Sequence, residues 1–220
     1  MFRLFYIIFL RDFREVLIDG TKSWFTISFF LLCLLIFPLA LGPEKKILKD
    51  ISIGAIWISA LFSTLLSLDS MYKDDYENGI LEQYFTSRIP LQVIVLAKCL
   101  NHWIFSGLPI IALSPICLFI FSDNLDNIFR LMISLSLGTL LFTFIGSPIS
   151  ALTLGAKLRG PLLAFLTLPF YLPVIIFGIL STGYINSNSN AEFYLLSSLL
   201  SLSIVLLPII TVKILQFALE

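Results

Sequence analysis

Residues 24–41 read WFTISFFLLCLLIFPLAL, a run without a single charged side chain and with Phe or Leu at most positions. A helix rises 1.5 Å per residue, so about 20 apolar residues cross the hydrocarbon core of a bilayer. Five further stretches qualify on the same ground: 51–68, 91–121, 128–154, 161–181 and 193–214. The third is too long for a straight crossing and contains Pro109 and Pro115, which predicts a kink, a tilt or a break near its outer end. The expected fold is all-α, a polytopic membrane protein of six transmembrane helices forming a single domain over residues 1–220.

Composition points the same way. Of 220 residues, 58% are hydrophobic and 13% charged, against roughly half and a quarter in soluble domains. Fourteen basic residues balance fourteen acidic ones, which gives no reason to expect nucleic acid or an acidic substrate as partner. Cys33, Cys99 and Cys117 lie inside apolar runs without metal-ligand spacing and read as small core residues. The apolar core of the N-terminus is short and is followed by Arg11, Asp12, Arg14 and Glu15, so a cleaved signal peptide is not expected.

The basic residues set the expected orientation. With a cytoplasmic N-terminus the inner set is Arg3, Arg11, Arg14, Lys22, Lys73, Arg88, Lys98, Lys157, Arg159 and Lys213, and the outer set only Lys45, Lys46, Lys49 and Arg130. That asymmetry predicts both termini in the cytoplasm. Upstream of the first crossing, Phe2, Phe5, Tyr6, Phe9, Leu10, Phe13, Val16 and Leu17 recur at helical spacing. Charged residues, among them Arg11, Asp12, Asp19 and Lys22, fill the other half. Residues 1–22 therefore predict an amphipathic helix lying in the interface plane. Two strips of small residues, Ala55, Ser59, Ser63 and Ser67 in the second crossing and Ser147, Ala151 and Gly155 in the fourth, suit close helix packing. They serve either a static seam or a moving interface.

The inner connection 69–90 is long, acidic and partly aromatic. Tyr72, Tyr76, Ile80 and Tyr84 fall every four residues among Asp69, Asp74, Asp75, Glu77 and Glu82, which on one helix would build a ridge of large side chains. Asn78-Gly79 is a turn signal and predicts two short helices instead. An acidic aromatic hairpin is a docking knob for a soluble partner, or a solvated connector. The neighbours Asp74 and Asp75 do not share a helix face and have no histidine nearby, which discounts a metal site. His102, the one histidine, sits beside Trp103 in the third crossing. It is either a haem ligand or a hydrogen-bonded or interfacial histidine, and two depths are open: well inside the crossing when counted from Leu91, or near the interface with Lys98 snorkelling to the inner surface. No G-x-x-x-x-G-K-[ST] phosphate loop and no H-E-x-x-H pair occurs, so this chain is not expected to be an enzyme.

The order of several short pieces resembles the CcmB family, haem-exporter-type permease subunits of the cytochrome c maturation system with an ABC-2-like permease fold. The pieces are Phe37-Pro38-Leu39, Leu41-Gly42-Pro43-Glu44, Ile56-Trp57, Asp74-Asp75, Gly79, Leu81-Glu82-Gln83, Leu96-Ala97-Lys98, His102-Trp103, Gly107-Leu108-Pro109, Ser114-Pro115, Leu168-Pro169 and Pro173. Asn78 departs from the Asp expected in relatives. The resemblance implies a partner ATPase, CcmA, docked on a coupling hairpin that includes Tyr72, Asp74, Asp75, Tyr76, Gly79, Leu81, Glu82 and Gln83. It also implies CcmC, CcmD and the haem chaperone CcmE as neighbours, two copies per complex, ATP bound by the partner and haem within the complex. The home it implies is the bacterial inner membrane, with a mitochondrial one as the alternative. The competing expectations are a direct conduit for haem or another hydrophobic substrate, with contact at His102 and Trp103, and a passive scaffold without ATPase coupling.

Overall fold

The computed structural model describes all residues except 1, 43, 88, 123–127, 183–189 and 220, and among the described residues every regular element is a helix. Pro43, Arg88 and most of the two connections 122–127 and 182–192 therefore lie outside the described residues. Six helices are long and apolar enough to cross a membrane: α2 (Thr21–Leu41), α3 (Lys45–Leu68), α6 (Leu91–Ser122), α7 (Ile128–Leu152), α8 (Arg159–Ser181) and α9 (Ala191–Leu219). An N-terminal helix, α1 (Phe2–Asp19), precedes them, and two short helices, α4 (Lys73–Glu77) and α5 (Ile80–Thr86), join α3 to α6. The chain is an all-α, multi-pass membrane protein.

The third crossing differs from one expected alternative. α6 runs unbroken for 32 residues through Pro109 and Pro115. A proline removes one backbone hydrogen bond but need not end a helix in apolar surroundings, and Ser114 Oγ caps the carbonyl of Ile111 at 2.8 Å.

The centre of the bundle is built around α7, which packs on α3, α6, α8 and α9. The indole of Trp57 on α3 is fully buried. It lies against Gly138 of α7 and Gly178 of α8, where a Cβ on either glycine would come within 2.2 Å of the ring. Phe142 meets the indole edge-on at 6.1 Å, and Tyr171 packs on Phe142 at 4.5 Å while donating to the Phe142 carbonyl at 2.6 Å. Without hydrophobic drive between helices in lipid, such close fitting is what holds them. Large apolar side chains such as Leu39, Phe165 and Val205 point outward, as lipid-facing surface requires.

The two small-residue strips do not form one seam. Ala55, Ser59 and Ser63 are buried, and Ser63 Oγ donates to the Thr26 carbonyl of α2 at 2.6 Å. Ser147 meets Tyr72 Oη at 2.7 Å and Thr211 of α9 at 3.4 Å. Gly155 is not helical at all. α7 ends at Leu152, and Gly155 sits in the following turn at a φ of 75°, a conformation that side chains disfavour. A strip read at four-residue spacing ran past the end of its helix.

Candidate functional site

The connection between α3 and α6 folds as two helices because Gly79 adopts φ 68° and ψ 13°, the left-handed conformation glycine takes without strain. The turn breaks the expected ridge. Tyr72 precedes α4 and is fully buried, whereas Tyr76, Ile80 and Tyr84 are only half-buried. Of the eight residues assigned to a coupling surface, Tyr72, Asp75 and Leu81 are 0%, 3% and 2% exposed and face the bundle. Asp74, Tyr76 and Gly79 are half-buried, and Glu82 and Gln83 are exposed. Leu81 joins the main apolar core, which ties α5 down.

Asp75 explains why the hairpin is held so closely. Its carboxylate accepts from Arg11 Nη2 of α1 at 3.2 Å to each oxygen and pairs with Lys98 of α6. Arg11 also reaches Asp12 through Nε at 2.9 Å, and Lys98 Nζ lies 3.4 Å from Asp12. Three segments far apart in sequence thus share one cluster of two cations and two carboxylates. Asp12 and Lys98 are buried, so each charge needs its partners. Burial works against the Arg11 charge, but Asp12 and Asp75 outweigh it and hold the guanidinium's pKa above its ordinary value. Arg11 also stacks over the Tyr84 ring at 5.3 Å, and burial pushes that phenol's pKa up.

This cluster decides one of the two depths left open for the inner end of the third crossing: Lys98 does not snorkel to the surface but turns inward to the two aspartates. α1 is one amphipathic helix, with Tyr6 and Leu17 of its apolar face 57% and 59% exposed while Ile8 and Asp12 are buried against α6. Ile8 packs on Ile94 and Ala97, and the Phe9 carbonyl accepts from Asn101 Nδ2 at 3.0 Å. Spacing gives the apolar face of α1, and the pairing of Asp12 with Lys98 sets which flank packs on α6. The side chains of Asp19 and Lys22 lie outside the described residues.

The hairpin is fastened from a third side. Ser150 of α7 donates to the Leu68 carbonyl at 2.9 Å, and Arg159, at the start of α8, pairs with Asp69 at 3.1 Å. Gly155 brings its turn to Tyr76, whose hydroxyl would lie 3.5 Å from a Cβ there. Of the residues counted on the inner side, Arg11, Lys98 and Arg159 therefore gather at the hairpin end.

His102 lies above this layer with both ring nitrogens engaged, Nε2 with Ser67 Oγ at 2.7 Å and Nδ1 with Thr143 Oγ1 at 3.1 Å. Trp103 donates to Thr139 Oγ1 at 3.0 Å. These bonds leave no ring nitrogen for iron, and the adjoining cavity of about 90 Å³ is well below the roughly 300–1,000 Å³ of pockets that enclose organic ligands. The residues here do not fit a haem ligand set. Cys99 and Cys117 are buried and Cys33 half-buried, each a free thiol. Among the described residues, no three His, Cys, Asp or Glu side chains gather to hold a metal ion.

Six crossings, an N-terminal helix packed on the third and a keyed hairpin after the second define an all-α multi-pass membrane protein. The chain belongs to the CcmB family: the family's profile, described as CcmB protein, matches residues 3–218. Similar proteins include Heme exporter protein B of Pseudomonas aeruginosa, 40% identical over 182 residues covering 82% of each chain. The Haemophilus influenzae protein of that name is 36% identical, covering 87% of this chain and 88% of its own. The Escherichia coli K12 protein is 34% identical over 99% of this chain and all of its own.

Proposed function

We propose that this chain is the membrane subunit of a haem export complex and acts as its mechanical transmitter. It passes ATP hydrolysis in a CcmA-type ATPase to the release of a haem-loaded CcmE-type chaperone. The relatives' name supports the haem-export setting. The observation that carries the transmitter reading is the hairpin: Asp75 is locked into α1 and α6 by buried ion pairs, while Glu82 and Gln83 stand exposed on α5. An element with one face keyed into the bundle and the other offered outward is suited to carrying a push from a soluble partner to the crossings.

In this reading residues 1–220 form one permease domain of a bacterial inner-membrane complex with both termini cytoplasmic. Two copies assemble with the ATPase, CcmC and CcmD. The chain itself is not an enzyme and binds no cofactor; ATP belongs to the partner and haem is the cargo of the complex. A haem conduit through His102 is the weaker reading, because both ring nitrogens are already bonded.

Co-purification of the ATPase and its turnover in membranes test the proposal with Glu82→Lys plus Gln83→Lys. Loss of both with a normally folded membrane subunit is expected. Undiminished partner binding and turnover would remove the hairpin from the coupling path.

A further inference from the structure

α1 carries a second set of charges that the ion-pair cluster does not use. Asp12 turns to Lys98, and Glu15 borders the cavity that Asp74 also lines, so these two acids lie on the flank toward α6 and the hairpin. Arg3 and Arg14 are exposed, and among the described residues neither forms an ion pair. Residues of a helix follow one another at about 100° around its axis, which sets Arg3, Ile7, Arg14 and Ile18 on one stripe. Ile7 and Ile18 are 54% and 85% exposed, and the exposed Tyr6 and Leu17 flank them. No carboxylate lies on the stripe itself.

The surroundings select what covers it. Gly20, at a φ of 54°, turns α1 directly into α2, whose early residues Trp24 and Phe25 are 71% and 64% exposed. The uncovered face of α1 is thereby continuous with the outward surface of the first crossing, where lipid is the neighbour, and an exposed Trp at the start of a crossing suits the membrane interface. Water alone does not suit a patch of large apolar side chains, and hydrocarbon alone does not suit two guanidinium groups. A bilayer surface satisfies both, because apolar side chains sink to the acyl boundary while arginine stems follow them and the charged tips reach the headgroups. Two cations without a carboxylate between them favour headgroups of net negative charge over zwitterionic ones.

We propose that the Arg3–Arg14 stripe of α1 is a binding surface for anionic phospholipid in the leaflet beside the hairpin. Arg3 and Arg14 donate to phosphate oxygens, and Ile7, Leu17 and Ile18 lie among the upper parts of the acyl chains. Lipid bound there fixes the outer side of a helix whose inner side is tied to α6 and the hairpin through Asp12 and Arg11.

The test titrates the full-length chain in detergent with phosphatidylglycerol or phosphatidylcholine and counts bound lipid by native mass spectrometry. Phosphatidylglycerol is expected to bind about tenfold more tightly, the scale of two basic side chains at a charged surface. Arg3→Gln with Arg14→Gln should abolish that preference and leave phosphatidylcholine binding as it was. Lys157→Gln with Lys213→Gln, which removes two exposed cations elsewhere, should preserve it. Ile7→Asn with Ile18→Asn should weaken both lipids alike, and thermal melting verifies that each variant is folded. Equal affinity for the two lipids in the parent, or a preference that survives loss of both arginines, would overturn the proposal. An equal loss of preference in the Lys157 and Lys213 variant would also overturn it, by assigning the effect to overall charge. So would a change of self-association in the Arg3 and Arg14 variant by sedimentation, which would give the face to a second copy of the chain.

Discussion

The hairpin end and the middle of the bundle are held by different physics. At the hairpin end, α1, α4 and α6 meet through Arg11, Asp12, Asp75 and Lys98, whose attraction offsets the desolvation of buried charge only while every partner is present. In the middle, α3, α7 and α8 meet through the Trp57 ring lying against Gly138 and Gly178, and what counts there is volume. Ion pairs can exchange partners through small side-chain movements, whereas a close-packed indole cannot shift without displacing two helices. The hairpin end is thus sensitive to charge and the middle of the bundle to volume.

Removing one member of the charge cluster should have the largest effect. Lys98→Met leaves Asp12 and Asp75 with Arg11 alone and is expected to destabilise by about 3–5 kcal/mol. Lys98→Arg should recover most of the loss. Melting in detergent micelles checks both, and a Lys98→Met protein as stable as the parent would mean that charge does not hold this end.

Next comes the middle of the bundle. Gly138→Ala or Gly178→Ala drives a methyl group into the Trp57 ring and should cost about 1–3 kcal/mol through overpacking. Pairing either substitution with Trp57→Leu should restore part of the stability. Absence of any rescue in the double variant would show that the indole is not what the glycines accommodate.

A smaller loss, about 1 kcal/mol, is expected for Tyr72→Phe, which deletes the 2.7 Å hydrogen bond to Ser147 but keeps the ring and leaves Ser147 its contact with Thr211. A loss as large as that of Lys98→Met would place Tyr72 among the principal ties of the hairpin end. The smallest stability change belongs to Glu82→Lys, within about 0.5 kcal/mol because the residue is exposed. Its effect should instead appear as lost ATPase association, so the comparison sharpens into a separation of stability from coupling.

Much of the architecture was legible because it is local. Each crossing declares itself by an apolar run of sufficient length, and the break between α4 and α5 by Asn78-Gly79. The site was legible only as a segment. Periodicity could show that 69–90 carries aromatic and acidic residues, but not that Tyr72, Asp75 and Leu81 turn inward while Glu82 and Gln83 stay out. The partners that decide this are distant in the chain, with Arg11 separated from Asp75 by 64 residues. The glycines facing Trp57 are illegible for a related reason: fixed spacing marks small residues along one helix, and Gly138 and Gly178 stand on two different ones. Lys98 was legible only as a choice between the interface, where an isolated Lys would go, and the interior, which its pairs with Asp12 and Asp75 decide.

By itself the sequence determined that this chain lives in a bilayer, how many times it crosses and where its crossings are punctuated, since these follow from transfer free energy and backbone preference along a short window. Only the tertiary structure decided which charges are buried, which face of the hairpin is offered outward and where the cavity lies. Those outcomes depend on which distant groups meet, because a buried charge is tolerated only when its partner arrives from elsewhere in the fold.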